Sequence, residues 1–250
     1  AGYQDFSYFY DEFNGEADYD ALYREISSRF TLHKLPGKIV ADLGCGTGEL
    51  SLRLAKEGYD VISVDASEEM LSIFSEKLQE EGQQGVLLLK QDLTELDLYG
   101  TIHGAICTFD TLNHIGPVAQ MEQVISRVGL VMEKGGLLLF DVNSPYKHQQ
   151  VLADEIFTIE DEDAICIWRN HLEAEQRRTH IKIDISYRDD PDHYQESFYE
   201  YYCEPQELLE ACQRHGFQVL EILDGENFVQ PKTDCQRFLF VAEKVIQCQS

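Results

Sequence analysis

The stretch Ile39-Val40-Ala41-Asp42-Leu43-Gly44-Cys45-Gly46-Thr47-Gly48 decides the fold of this chain. A short apolar run ends in an acid and passes straight into glycines at alternate positions, the signature of a strand turning into a helix. Asp42, Gly44, Gly46 and Gly48 therefore sit at a turn where backbone comes close to something bulky. Glycine alone accepts positive φ freely and lacks the Cβ that would block such an approach. The free N–H donors of the following helix favour a negative group there, a carboxylate or a phosphate. The spacing Asp-x-Gly-x-Gly-x-Gly departs from the dinucleotide fingerprint Gly-x-Gly-x-x-Gly.

Outward from that turn the pattern is regular. Strands are expected over 38–43, 60–64, 86–90, 104–108 and 137–142, and helices over 49–57, 68–81 and 118–131, with Lys134-Gly135-Gly136 as a turn. Strands alternating with helices mean a parallel sheet covered on both faces, with ligands outside the carboxyl ends of its strands. Asp42, Asp65 and Asp92 all fall at such ends. Before the first strand, Tyr19, Leu22, Tyr23, Ile26 and Phe30 recur at helical spacing, which makes residues 1–35 an N-terminal helical cap.

After Asn143 the period changes to two. Segments 156–160, 164–172, 180–187 and 194–203 read as half-buried antiparallel strands, Ile181, Ile183 and Ile185 alternating with Lys182 and Asp184. We read 146–203 as an inserted antiparallel lid over the active face. The core, 36–145, resumes over 204–246 with a helix at 204–215 and strands at 217–223 and 237–243.

Composition narrows the partners. The chain has 250 residues, 46 acids against 20 lysines and arginines, and a formal charge of −26. Such a surface repels phosphate backbones, so no nucleic-acid partner is expected. Seven scattered cysteines without a Cys-x-x-Cys pair suggest reduced thiols, no metal site and a cytoplasmic setting. No apolar run is long enough for a membrane span. A monomer or a homodimer is expected.

The run 40–48, the acid Asp65, Asp92-Leu93 and the two closing strands resemble a class I S-adenosylmethionine-dependent methyltransferase over nearly the whole chain. Tyr10-Asp11, Phe109-Asp110-Thr111-Leu112-Asn113 and the insertion are similar to a bacterial small-molecule branch of that family. The resemblance implies an α/β, Rossmann-like, doubly wound sheet of seven mostly parallel strands with an antiparallel last strand, plus the inserted β lid. It implies S-adenosyl-L-methionine as cofactor, with S-adenosyl-L-homocysteine as product. Backbone N–H groups of Gly44–Gly48, Cys45 included, would meet the cofactor carboxylate and Asp42 its ammonium. Asp65 would accept the ribose hydroxyls, and Asp92 with the Leu93 N–H would take the adenine. Ala66, Ser67 and Met70 would wall the adenosine, Phe109, Asp110 and Thr111 would line the methionine side, and Tyr10 would close over the cofactor.

Methyl transfer needs alignment and exclusion of water, and a general base only where the nucleophile arrives protonated. His114 is the first candidate for that base or for an acceptor contact. Tyr146 and His148 come next, and Trp168, Tyr199 and Tyr201 are candidates for an aromatic acceptor wall. Each has a plainer reading: a capping acid, a packed ring, a hydrogen-bonded histidine. No Asn/Asp-Pro-Pro-Tyr or Pro-Cys motif follows the fourth strand, which leaves a small-molecule acceptor methylated on oxygen or nitrogen. Two rivals remain at this level: a non-catalytic protein that binds the cofactor as sensor or assembly subunit, and an NAD-dependent oxidoreductase. The second lacks a Tyr-x-x-x-Lys proton donor.

Overall fold

A computed structural model of the chain describes residues 18–246. Tyr10, expected over the cofactor, lies outside the described residues. In chain order the strands are β1 (Ile39–Leu43), β2 (Asp60–Asp65), β3 (Val86–Lys90), β4 (Ile102–Cys107) and β5 (Met132–Asn143). Then come β6 (Ile156–Glu160), β7 (Ala164–Glu173), β8 (Arg178–Tyr187), β9 (His193–Tyr201), β10 (Phe217–Asp224) and β11 (Arg237–Lys244). The helices are α1 (Tyr19–Leu32), α2 (Glu49–Lys56), α3 (Glu68–Glu80), α4 (Thr111–Ile115), α5 (Val118–Val131) and α6 (Pro205–Arg214).

Seven strands form one sheet in the order β10-β11-β5-β4-β1-β2-β3. β1 pairs in parallel with β2 on one side and β4 on the other, so the direction of winding reverses at β1. That reversal opens a crevice at the carboxyl ends of β1 and β4. β11 runs antiparallel to both of its neighbours, β5 and β10.

Helices cover both faces of the sheet, which is why its central strands β1, β4 and β5 are mostly apolar. On one face Ile26 and Phe30 of α1 and Leu50 and Leu54 of α2 pack with Val40, Leu137 and Leu139. On the other, Val124 and Val128 of α5 and Leu208 and Ala211 of α6 pack with Ala41, Leu138 and Phe140. Helix starts follow local chemistry. Asp18 accepts the Ala21 N–H, Ser67 accepts the Met70 N–H, and Glu204 and Glu207 form a reciprocal capping box.

One boundary differs from expectation. Lys134-Gly135-Gly136 lies inside β5 rather than ahead of it. The β4–β5 register shifts between Ile102 and Gly104, and Gly135 takes a φ of 87°, so the glycines absorb a bulge without ending the strand.

The second sheet has the order β6-β7-β8-β9, all antiparallel. Residues 147–152, a π-helical turn, connect β5 to it. Trp168, Ile181, Ile183 and Ile185 are buried on one face, while Lys182, Arg169 and Tyr199 belong to the opposite parity.

Candidate active site

A cavity of about 510 Å³ lies between the carboxyl tips of β1, β2 and β4 and the second sheet. Its size falls in the range of small-molecule sites, about 300–1,000 Å³. Asp42, Gly44, Cys45, Gly46, Asp65 and Met70 line the end made by β1, β2 and α3. Phe109, Thr111, His114, Ile183, Glu196 and Phe198 line the end made by the β4 tip and the second sheet.

The glycine turn is fixed by backbone bonds. Gly44 N and Cys45 N both donate to the Val64 carbonyl, at 2.8 and 3.0 Å. Gly46 N donates to Asp65 Oδ2 and Ser67 N to Asp65 Oδ1, each at 2.9 Å. A Cβ on Gly48, whose φ is 86°, would stand 2.2 Å from the Phe74 ring, so this glycine serves close packing of α3. Gly46, at φ 54°, would point a Cβ into open space within the cavity wall. The two glycines therefore do different work.

Asp42 sits at the cavity floor, only 3 % exposed, and accepts a 2.6 Å hydrogen bond from Ser51 Oγ, which also meets Ser63 Oγ at 2.7 Å. Burial pushes its carboxyl up to about 7, and the Asp65 charge adds to the shift. Burial also raises the Cys45 thiol, so it stays protonated and serves as a small wall atom. A buried carboxylate calling for a cation, a second carboxylate beside backbone donors, and a thioether wall match the ammonium, ribose and adenosine of S-adenosylmethionine. The residues fit that group.

At the tip of β4 the backbone is held in an unusual shape. Phe109 and Asp110 are both left-handed, with φ of 54° and 65°. The Asp141 carboxylate accepts both of their N–H groups, at 2.8 and 3.1 Å. Asp110 itself turns inward, 2 % exposed, and pairs with Arg237 Nη2 at 2.9 Å. That guanidinium, with the Lys147 ammonium, overcomes burial and holds the Asp110 carboxyl well below the usual range. One turn later His114 reaches the cavity, its Nε2 3.3 Å from Glu200 Oε1. Glu200 is buried, and burial raises its carboxyl while His114 opposes the rise.

The Methyltransferase domain family matches residues 40–136, from β1 into β5. A methyltransferase homologue from Geobacillus sp. (strain WCH70) is 34% identical over 97% of this chain and 99% of its own length. The chain belongs to the class I S-adenosylmethionine-dependent methyltransferases. Among solved folds, this methyltransferase superposes with a TM-score of 0.89 on the S-adenosylmethionine-dependent methyltransferase from Clostridium acetobutylicum ATCC 824, at 24% identity, covering 98% of this chain and 99% of that one. It superposes with a TM-score of 0.77 on the sugar N-methyltransferase KedS8 from Streptoalloteichus sp ATCC 53650, at 18% identity, covering 98% and 94% of the two chains. S-adenosylmethionine is its cofactor.

Several residues read from the sequence lie off the cavity of this methyltransferase. Gly48 packs on Phe74, Ser67 caps α3, and Ala66 is exposed beside it. Asp92 is exposed and caps a 3-10 turn through the Thr94 N–H at 2.8 Å, while Leu93 is buried in the core. Asp110 is spent on Arg237.

The expected acceptor wall needs correction. Trp168 is buried within the second sheet, its Nε1 donating to Asn170 Oδ1 at 2.8 Å. Tyr199 and Tyr201 carry the opposite parity to the cavity face, and Tyr199 stacks on His180 with Arg178 above its ring. His148 is fully buried between Thr179 and Tyr202, and burial drives its imidazole down to about 3, so it is neutral packing. Tyr146 is half exposed and away from the lining residues. The second sheet lines the cavity with Ile183, Glu196, Ser197 and Phe198, and Glu200 continues the parity of Glu196 and Phe198 to His114. No hydrophobic alternation in β9 marks these residues, because Glu196 to Tyr201 are all polar or aromatic.

Proposed function

We propose that this methyltransferase moves a methyl group to an oxygen or nitrogen of a small-molecule acceptor, with His114 as general base and 146–203 as a lid over the acceptor. One observation carries the reading: a single cavity joins the glycine turn and its acids to His114 and Phe198. When bound, S-adenosylmethionine supplies an electrophilic methyl on a sulfonium centre. Asp42 would hold its ammonium and Asp65 its ribose, placing the methyl toward the β4 tip. Phe109, fixed by Asp141, and Phe198 would close the apolar walls that keep water out. His114 would take the acceptor proton, and Glu200 would balance the imidazolium that results. The name of KedS8, a sugar N-methyltransferase, supports an acceptor of small size.

The test is turnover of methyl-labelled cofactor across a panel of small hydroxyl and amine acceptors. Acceptor-dependent formation of S-adenosylhomocysteine is expected, falling by about 10²-fold or more in His114→Ala. Undiminished turnover in His114→Ala would remove it as the base.

A further inference from the structure

We infer that the acceptor is an amine that enters as an ammonium ion, and that Glu196 is the residue that selects it. The inference rests on the cavity being the methyltransferase site, and it names the class of molecule the second sheet receives.

Four carboxylates line the cavity, from Asp42, Glu49, Asp65 and Glu196, and among the described residues no lysine or arginine does. Three are accounted for. Asp42 would face the cofactor ammonium; Asp65 bonds the glycine turn and would face the ribose. Glu49 is held by Lys77 Nζ at 2.8 Å and Arg53 Nη1 at 3.2 Å. The Glu196 carboxylate has no hydrogen-bond or ion-pair partner among the described residues, and its one charged neighbour of note is another acid, Glu69.

That placement is costly without a cation. Glu196 is half-buried on the cavity side of β9, between the aromatic Phe198 and the far end of the sheet. Burial, and the Glu69 charge after it, disfavour its ionised form. An ammonium between these carboxylates relieves both, and the rings of Phe198, Phe109 and Tyr19 on the same cavity suit a cation. A carboxylate or phosphate ester would meet uncompensated repulsion there, in a protein already carrying −26.

A second observation points the same way. An ammonium has no lone pair, so it must lose a proton before it can accept a methyl. His114 and its buried partner Glu200, 3.3 Å apart, stand on the same cavity to take it. The N–H bond breaks, the proton passes to the imidazole and the electron pair stays on nitrogen. The N–CH3 bond then forms as the S–CH3 bond breaks with its pair left on sulfur.

The experiment uses the full chain saturated with S-adenosylhomocysteine and three probes sharing one ring: cyclohexylamine, cyclohexanol and cyclohexanecarboxylate. Binding is read by ligand-observed NMR titration at physiological ionic strength. The amine is expected to bind at least tenfold tighter than the alcohol, with the carboxylate weakest. Glu196→Gln should bring amine and alcohol within threefold and leave S-adenosylhomocysteine affinity within twofold of wild type, which also shows that the variant is folded. Equal binding of amine and alcohol, no binding of any ring probe, or an amine preference that survives Glu196→Gln overturns the inference. Failure of S-adenosylhomocysteine itself to bind would instead bring down the reading of the cavity on which this one stands.

Discussion

Asp141 Oδ2 accepts the Phe109 N–H at 2.8 Å and so fixes a phenylalanine with a φ of 54° against the cavity. A non-glycine residue in that region costs about 1–3 kcal/mol and persists only where the surroundings over-determine it. The buried carboxylate supplies that constraint for two successive residues. Asp141→Ala is expected to destabilise the protein by about 2–4 kcal/mol, from lost buried hydrogen bonds and a relaxed turn. Denaturant unfolding measures it. Asp141→Asn keeps an acceptor of the same shape and should cost less.

Gly46 and Gly48 separate binding from folding. Gly48→Ala drives a methyl into the Phe74 ring at a φ of 86°, so its effect belongs in the melting temperature, with a loss of about 2 kcal/mol or more. Gly46→Ala meets open space, leaving only the backbone cost of about 1–2 kcal/mol, but it adds a methyl to the cavity wall. It should weaken S-adenosylhomocysteine far more than it lowers the melting temperature. The same order of effects in both variants would show that the turn does not touch the ligand.

Asp42 gives the protein a pH dependence with a defined sign. Its folded value near 7 lies above the unfolded carboxylate value of about 4. The folded state therefore holds a proton that the unfolded state has lost between those limits. Stability from this group is full below about pH 4, falls as pH rises to about 7, and is flat above. Asp42→Asn should flatten that slope in unfolding measurements of the ligand-free protein.

Cofactor binding runs the opposite way, because an ammonium pairs with the ionised carboxylate. S-adenosylhomocysteine affinity should fall by up to about tenfold per pH unit below about 7. Calorimetry in buffers of different ionisation heat would show the proton released on binding.

The parallel sheet and the glycine turn at the tip of β1 were legible in the sequence because their signals are local. Glycine spacing, an acid at a strand tip and period switching each act over a few residues. The second sheet was legible as strands, but its faces were not. In β9 every residue from Glu196 to Tyr201 is polar or aromatic, so no hydrophobic alternation marks the inner side, and a shift of one residue exchanges Phe198 and Glu200 for Tyr199 and Tyr201. His148 looked like a site residue because nothing in the chain shows that a π-helical turn buries it against Thr179. Glu200 was invisible for a further reason: its role depends on a contact 86 residues away in sequence, with His114.

Parity can be tested directly. Phe198→Ala opens the cavity wall and should weaken cyclohexylamine binding about tenfold, roughly the worth of an aromatic face against a partly desolvated cation. Tyr199→Ala removes a ring stacked on His180 and should leave that binding unchanged. Reversed effects would mean that the second sheet presents its other face to the cavity.

If the tips of β1 and β2 hold the adenosyl cofactor, Asp65 is where that hold can be measured. Calorimetric titration of S-adenosylhomocysteine into wild type and Asp65→Asn, with melting temperature as the check on folding, is the measurement. One site per chain is expected, with a loss of about 10–100-fold in the variant, the worth of charged hydrogen bonds to the ribose. A folded Asp65→Asn that binds as tightly as wild type would contradict it.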